Sequence, residues 1–196
     1  HQLSNLERYY ALARGYQKNG IDITAMEMTK WFDTNYHYIV PEFTKDQSFR
    51  ILVNKPLQEY NLAKKHGFDT KPVLIGLVTY LLLGKEKEQG FHRLDLAERL
   101  LPVYVQIVQS LVDAGAKTIQ IDEPYLVLDL PEGAADVYKK VYTELRSKFP
   151  TTEFILTTYF GALDNNTELA VSLPFNVLHI DLVRAAAQLD KVLKAL

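Results

Sequence analysis

Short apolar runs separated by helix-length amphipathic segments set the strictest limit on what this 196-residue chain can become. Pro72 to Thr79 is continuously apolar, the pattern of a strand buried on both faces. Thr118–Ile121 follows Gly115, a helix-ending residue, and reads as a second strand. Phe154–Thr158 and Val177–Leu182 give a third and a fourth, and a fifth is expected within Tyr36–Val40. Between them the spacing predicts helices over Lys55–His66, Leu94–Ala114, Ala134–Phe149, Asn166–Ser172 and Ala185–Leu196. Strands alternating with helices imply βαβ crossovers and a parallel sheet.

Two architectures follow. A doubly wound sheet accommodates five strands but usually carries a phosphate-binding fingerprint, and neither G-x-G-x-x-G nor G-x-x-x-x-G-K-[ST] is present. A (β/α)8 TIM barrel needs eight strands and about 250 residues. The expected fold is therefore a partial barrel lacking the first strands and the last, with residues 1–196 as one domain.

The net charge of −2 provides no basic field for nucleic acid or an anionic membrane. Without cysteine there is no disulfide, thiolate metal site or thiol chemistry. No apolar stretch is long enough to span a bilayer. The start, His1-Gln2-Leu3-Ser4, has neither an initiator methionine nor a secretory signal, which suggests a piece of a longer protein; a cytoplasmic location is expected.

Chemistry in α/β proteins gathers where strands finish. Here those ends carry Asp122-Glu123-Pro124, Thr157-Thr158-Tyr159, and His179 with Asp181. Two carboxylates at one strand end suit acid–base work or a cation. They equally suit a helix start, accepting backbone N–H groups ahead of a proline, and the structural reading is favoured. His179 and Asp181, two apart on one strand, are expected to be a satisfied rim pair, since no zinc-type ligand set is visible. Met26 to Phe43 is less ordinary. It holds the only tryptophan, Trp31, among Tyr36, Tyr38 and Phe43, beside Lys30 and Asn35. The aromatics alone could close a barrel corner. A lysine held among them offers three donors to an anion, and Asn35 adds an amide able to donate or accept.

The run Met28 to Glu42 (MTKWFDTNYHYIVPE) resembles the signature of the cobalamin-independent methionine synthase family, in its N-terminal domain. Ala13-Arg14-Gly15, Lys71-Pro72-Val73-Leu74 with Gly76, Gln120 to Pro124, Thr157 to Phe160, and Asp181-Leu182-Val183 agree in order, so the resemblance covers essentially the whole chain. It implies a two-barrel methyltransferase that moves a methyl group from 5-methyltetrahydropteroyltri-L-glutamate to L-homocysteine. In that family a C-terminal barrel carries the zinc and binds homocysteine, and the N-terminal barrel helps hold the folate polyglutamate tail. The tail-binding lysine falls on Lys30 and a folate-contacting asparagine on Asn35. This segment carries no zinc ligand and no catalytic residue of the family, so it is expected to be inactive alone and to pack against the C-terminal barrel. Two departures stand out: the family's basic N-terminal Arg-Glu-Leu-Lys strand is missing, and Leu77 replaces the usual proline after Gly76.

Two rivals come from other classes. One is a barrel hydrolase using Glu123 with a second carboxylate such as Glu42. The other is a purely structural or partner-binding fragment with no ligand of its own; under any of these readings, open sheet edges of an incomplete barrel must be covered or will self-associate.

Overall fold

A computed structural model describes residues 3–196. In chain order the elements are α1 (Asn5–Arg14), β1 (Tyr16–Lys18), β2 (Ile21–Ile23), β3 (Met28–Lys30), β4 (His37–Ile39), β5 (Glu42–Phe43), α2 (Lys55–Lys65), β6 (Val73–Ile75), α3 (Leu77–Leu82) and β7 (Lys85–Glu86). Then follow α4 (Ala97–Asp113), β8 (Thr118–Asp122), α5 (Ala134–Lys148), β9 (Glu153–Thr157), α6 (Thr167–Ser172), β10 (Val177–His179) and α7 (Leu189–Ala195).

The main sheet has four parallel strands in the order β6-β8-β9-β10. That order follows the chain without a reversal, and parallel crossovers share a right hand, so every connecting helix falls on the same face. Burial alternates accordingly. Leu74, Ile119, Ile121, Phe154 and Leu156 point into the helical layer and are buried. There α4 packs against both α2 and α5. The opposite face is only partly covered: Val73 is 46% exposed and Val177 42%. This is an open α/β sheet with helices on one side, and the described strands do not close into a barrel.

Four expectations need correction. The apolar run from Pro72 is strand only to Ile75; after Gly76 it turns into α3, because a carboxylate from another element caps the helix there. The fourth strand stops at His179, where the Asp181 side chain takes up the backbone N–H groups that follow. The expected fifth strand exists as β4 but pairs antiparallel with β3, outside the main sheet. The aromatic cluster also divides: Phe43 enters the core beside Phe49 and Tyr80, whereas Tyr36 is 79% exposed. The expected helices stand with small shifts of boundary, and Arg93–Leu96 and Ala186–Gln188 form 3-10 turns that lead into α4 and α7. Helix α1, the β1–β2 hairpin and the β5–β7 pair had no counterpart in the pattern reading.

Candidate functional site

The carboxyl ends of the four parallel strands meet the β3–β4 hairpin. Backbone bonds carry the ladder past the strands themselves, from Gly76 N to the Asp122 carbonyl (2.7 Å), from Glu123 N to Thr157 (2.9 Å) and from Thr158 N to His179 (3.1 Å). Polar residues at this rim are therefore held by main-chain geometry.

Glu123 is fully buried and accepts four hydrogen bonds. Val78 N (3.2 Å) and Thr79 N (2.8 Å), the orphan N–H groups in the first turn of α3, donate to its two oxygens. The Tyr138 hydroxyl adds a bond of 3.1 Å, and the Tyr142 hydroxyl closes the set. Burial pushes the Glu123 carboxyl up, while these donors pull it down. Gly76 permits the arrangement: a Cβ there would lie 2.0 Å from Glu123 Cδ. Leu77 occupies the first position of the helix, directly after Gly76. Glu123 is thus a helix cap supplied from another strand: its role is structural, as expected, but it caps α3 and not the local 3-10 turn that Pro124 opens. Tyr138 and Tyr142 were missed. Two tyrosines at i, i+4 on the buried face of a helix were the available signal, since each hydroxyl must find a partner.

The carboxylate pair of the hydrolase reading does not form. Glu123 is sealed beneath Gly76, and Glu42 on β5 pairs with Lys87 at 3.0 Å. Asp181 belongs to the backbone as well, accepting from Phe160 N (2.9 Å), Val183 N (3.0 Å) and Arg184 N (2.9 Å). The Arg184 N–H leads the causes that hold its carboxyl below the usual range. His179 instead places Nδ1 3.1 Å from the Thr158 carbonyl.

Asp122 accepts from Gln120 Nε2 (2.7 Å) and from the Tyr159 hydroxyl (3.3 Å). Burial pushes its carboxyl up against those donors. Burial and the Asp122 charge push the Tyr159 hydroxyl up, with the Trp31 indole acting in the other direction. Trp31 meets Tyr38 edge-on at 5.6 Å, and Phe32 contacts Phe160 at 5.4 Å. Arg184 sits over the Phe160 ring and pairs with Asp33, tying the hairpin to the loop after β10. Phe32 (φ 53°) and Phe160 (φ 75°) both occupy the left-handed region. For bulky residues that is an outlier costing about 1–3 kcal/mol each, of a kind that clusters at ligand sites.

Lys30 ends β3 opposite His37, and Asn35 lies in the turn that follows. Both are exposed. The turn is closed by Trp31 N donating to the Tyr36 carbonyl (2.7 Å) and Thr34 Oγ donating to the Trp31 carbonyl (2.7 Å). Neither the Lys30 ammonium nor the Asn35 amide has a partner among the described residues. Both groups are thus open to solvent at the turn end of the hairpin.

Among the described residues no three His, Cys, Asp or Glu side chains are grouped to hold a metal ion, so the donor set does not fit zinc. No described helix is long and apolar enough to cross a membrane.

A family model described as "Cobalamin-independent synthase, N-terminal domain" matches residues 1–196. The chain is 53% identical over 192 residues to the 5-methyltetrahydropteroyltriglutamate–homocysteine methyltransferase of Flavobacterium johnsoniae, covering 98% of this chain and 25% of that protein. It is 54% identical over 192 residues to the Cytophaga hutchinsonii protein of the same name, covering 97% and 25%. The chain spans about a quarter of the length of these relatives. A crystal structure of a Listeria monocytogenes protein assigned as a vitamin-B12 independent methionine synthase overlays with a TM-score of 0.53 at 19% identity, covering 70% of this chain and 46% of that one. That likeness concerns the fold.

Proposed function

The chain belongs to the family of cobalamin-independent synthase N-terminal domains, and from that premise we propose that it is the folate-tail-binding part of a methyltransferase that makes methionine. The intact enzyme moves the methyl group of 5-methyltetrahydropteroyltri-L-glutamate to L-homocysteine. These residues form a section of its N-terminal (β/α)8 barrel in the cytoplasm, packed against a C-terminal barrel that holds zinc. The four strands in chain order with helices on one face support that architecture.

The observation that carries the binding role is the exposed, partnerless Lys30 at the turn end of a braced hairpin, with Asn35 exposed in that turn. A triglutamate tail is a string of carboxylates, and a lysine offers three donors and no acceptor. Because the hairpin is fixed by its turn bonds and by Trp31, little ordering is left to be done when the tail arrives. Asp122 and Glu123 take no chemical part, and the segment on its own does not turn over.

Kinetics of the full-length enzyme test this. A charge-assisted hydrogen bond contributes about 1.5–3 kcal/mol, so Lys30→Ala should raise the KM for the triglutamate substrate roughly 10- to 100-fold while kcat stays within about twofold. The penalty should shrink with added salt and nearly vanish for a monoglutamate substrate. An unchanged KM for the triglutamate would remove Lys30 from the tail site.

A further inference from the structure

The β3–β4 hairpin sets two basic side chains against each other. Lys30 on β3 and His37 on β4 are register partners, so they stand directly opposite on one face of the pair, with Cβ atoms about 4.5–5.5 Å apart. The next pair along, Thr29 and Tyr38, leaves the other face. That second face is turned to the body of the protein: the Tyr38 hydroxyl donates to the Leu83 carbonyl at 3.2 Å, and its ring meets Trp31. Lys30 and His37 therefore share the face turned to solvent, and both are exposed.

Like charges directly opposite on a strand pair are destabilising, and the acids nearest to this pair in the chain are engaged elsewhere. Glu27, just ahead of β3, pairs with Lys85 at 2.5 Å, and Asp33 in the turn pairs with Arg184. No third strand adjoins the hairpin, and among the described residues no carboxylate pairs with Lys30 or His37. Two bases facing each other without an internal acid break a local rule, and such breaks are expected at functional positions. An incoming anion would relieve this one.

The His37 ring is also held. Its Nδ1 lies 3.1 Å from the Asn35 carbonyl, and a carbonyl only accepts, so Nδ1 carries the proton. Nε2 is the nitrogen left for a ligand. In the neutral imidazole it accepts and has nothing to offer a carboxylate; in the imidazolium it donates and brings a positive charge. Between about pH 8 and pH 6, lysine ammonium and glutamate carboxylate groups keep their charge, whereas an imidazole gains one. A carboxylate drawn to Lys30 then meets a second cation across the strand pair.

We propose that His37 is a second tail-binding residue, its Nε2–H donating to a carboxylate of the polyglutamate beside Lys30, so that the grip tightens as the ring gains its proton. This rests on the placement of the tail at Lys30. Calorimetric titration of the full-length enzyme with pteroyltriglutamate and pteroylmonoglutamate, at pH 8 and at pH 6, tests it. The ratio of the two dissociation constants isolates the tail from the rest of the ligand. From pH 8 to pH 6 the preference for the triglutamate should rise roughly three- to fivefold, the size of one exposed ion pair. His37→Gln should abolish that rise, and His37→Lys, whose charge is permanent, should hold the preference high at both pH values. His37 is exposed, so both variants should fold. A parental preference that ignores pH, or a rise that persists in His37→Gln or His37→Lys, would overturn the proposal. Lys30→Ala separates the two claims. If it lowers the preference while His37→Gln leaves the pH response intact, the role of His37 alone falls. If it leaves the preference unchanged, the tail lies elsewhere and both readings fall.

Discussion

At the scale of single residues, Glu123 shows how a group that looks catalytic in a sequence can be wholly structural. A carboxylate beside an aspartate at a strand end has the composition of an acid–base pair, yet both of its oxygens are occupied by donors from α3 and α5. Glu123→Gln replaces one acceptor by an NH2 group facing donors. A tyrosine hydroxyl can turn away, but a backbone N–H cannot, so the substitution should cost about 2–3 kcal/mol in urea denaturation. Gly76→Ala attacks the same cap from the other side, since its Cβ would fall 2.0 Å from Glu123 Cδ. A cost of about 3 kcal/mol is expected. Because both changes break one cap, the double variant should be less destabilised than the sum, by about 1 kcal/mol or more. Strict additivity would mean that the glycine and the glutamate do not act through one another.

At the scale of elements, legibility followed the range of the interactions. Strands β8 and β9 and helix α4 were evident because their own periodicity specifies them, with Ile119, Ile121, Phe154 and Leu156 alternating into the helical layer. Helix α3 was not, because an unbroken apolar run reads equally as a buried strand, and its cap comes from a residue 45 positions beyond Val78. The end of β10 was hidden for a similar reason: Asp181 looks like a continuation of strand alternation, yet its side chain gathers the amides of Phe160, Val183 and Arg184 and so fixes the loop that braces the β3–β4 hairpin. Its folded pKa is depressed, chiefly by the Arg184 N–H. The contribution is therefore complete above the ordinary aspartate value of about 3.9 and is lost as pH falls through the lower folded value. Below that range the loop should loosen around Phe160 and release the hairpin. In Asp181→Asn the Phe160 amide should exchange about fivefold faster near neutral pH, a modest effect because the carboxylate is largely solvated. The variant should also lose the acid-limb slope in a plot of stability against pH. An Asp181→Asn protein that keeps the parental slope would place the titrating group elsewhere.

At the scale of the whole molecule, the candidate site was legible in part. The stretch from Met28 to Glu42 pointed to Lys30 and Asn35, which are exposed at the end of β3 and in the turn after it. Asp122, Thr157 and His179 were each legible as strand-end residues, but their alignment on one inner face of the sheet was not, because register across strands separated by long helices is recorded in no local pattern. That same inner face bears on how these 196 residues behave when expressed by themselves. Strands β6 and β10 each have one unpaired edge in the main sheet, and Val73 and Val177 beside them are half exposed on the side away from the helices. Free strand edges next to apolar surface are templates for pairing with another chain. The isolated segment should therefore self-associate, with an apparent mass in size-exclusion chromatography with light scattering that rises from that of a 22.5 kDa monomer as concentration increases. Val73→Lys or Val177→Lys should shift the balance back toward monomer, by placing a hydrated charge where the apolar face would be covered. The full-length enzyme, whose additional strands would cover that face, should show no such dependence on concentration. A segment that stays monomeric over roughly a hundredfold range of concentration would mean that the edges are already shielded within these residues, and the open-sheet account of the fold would have to give way.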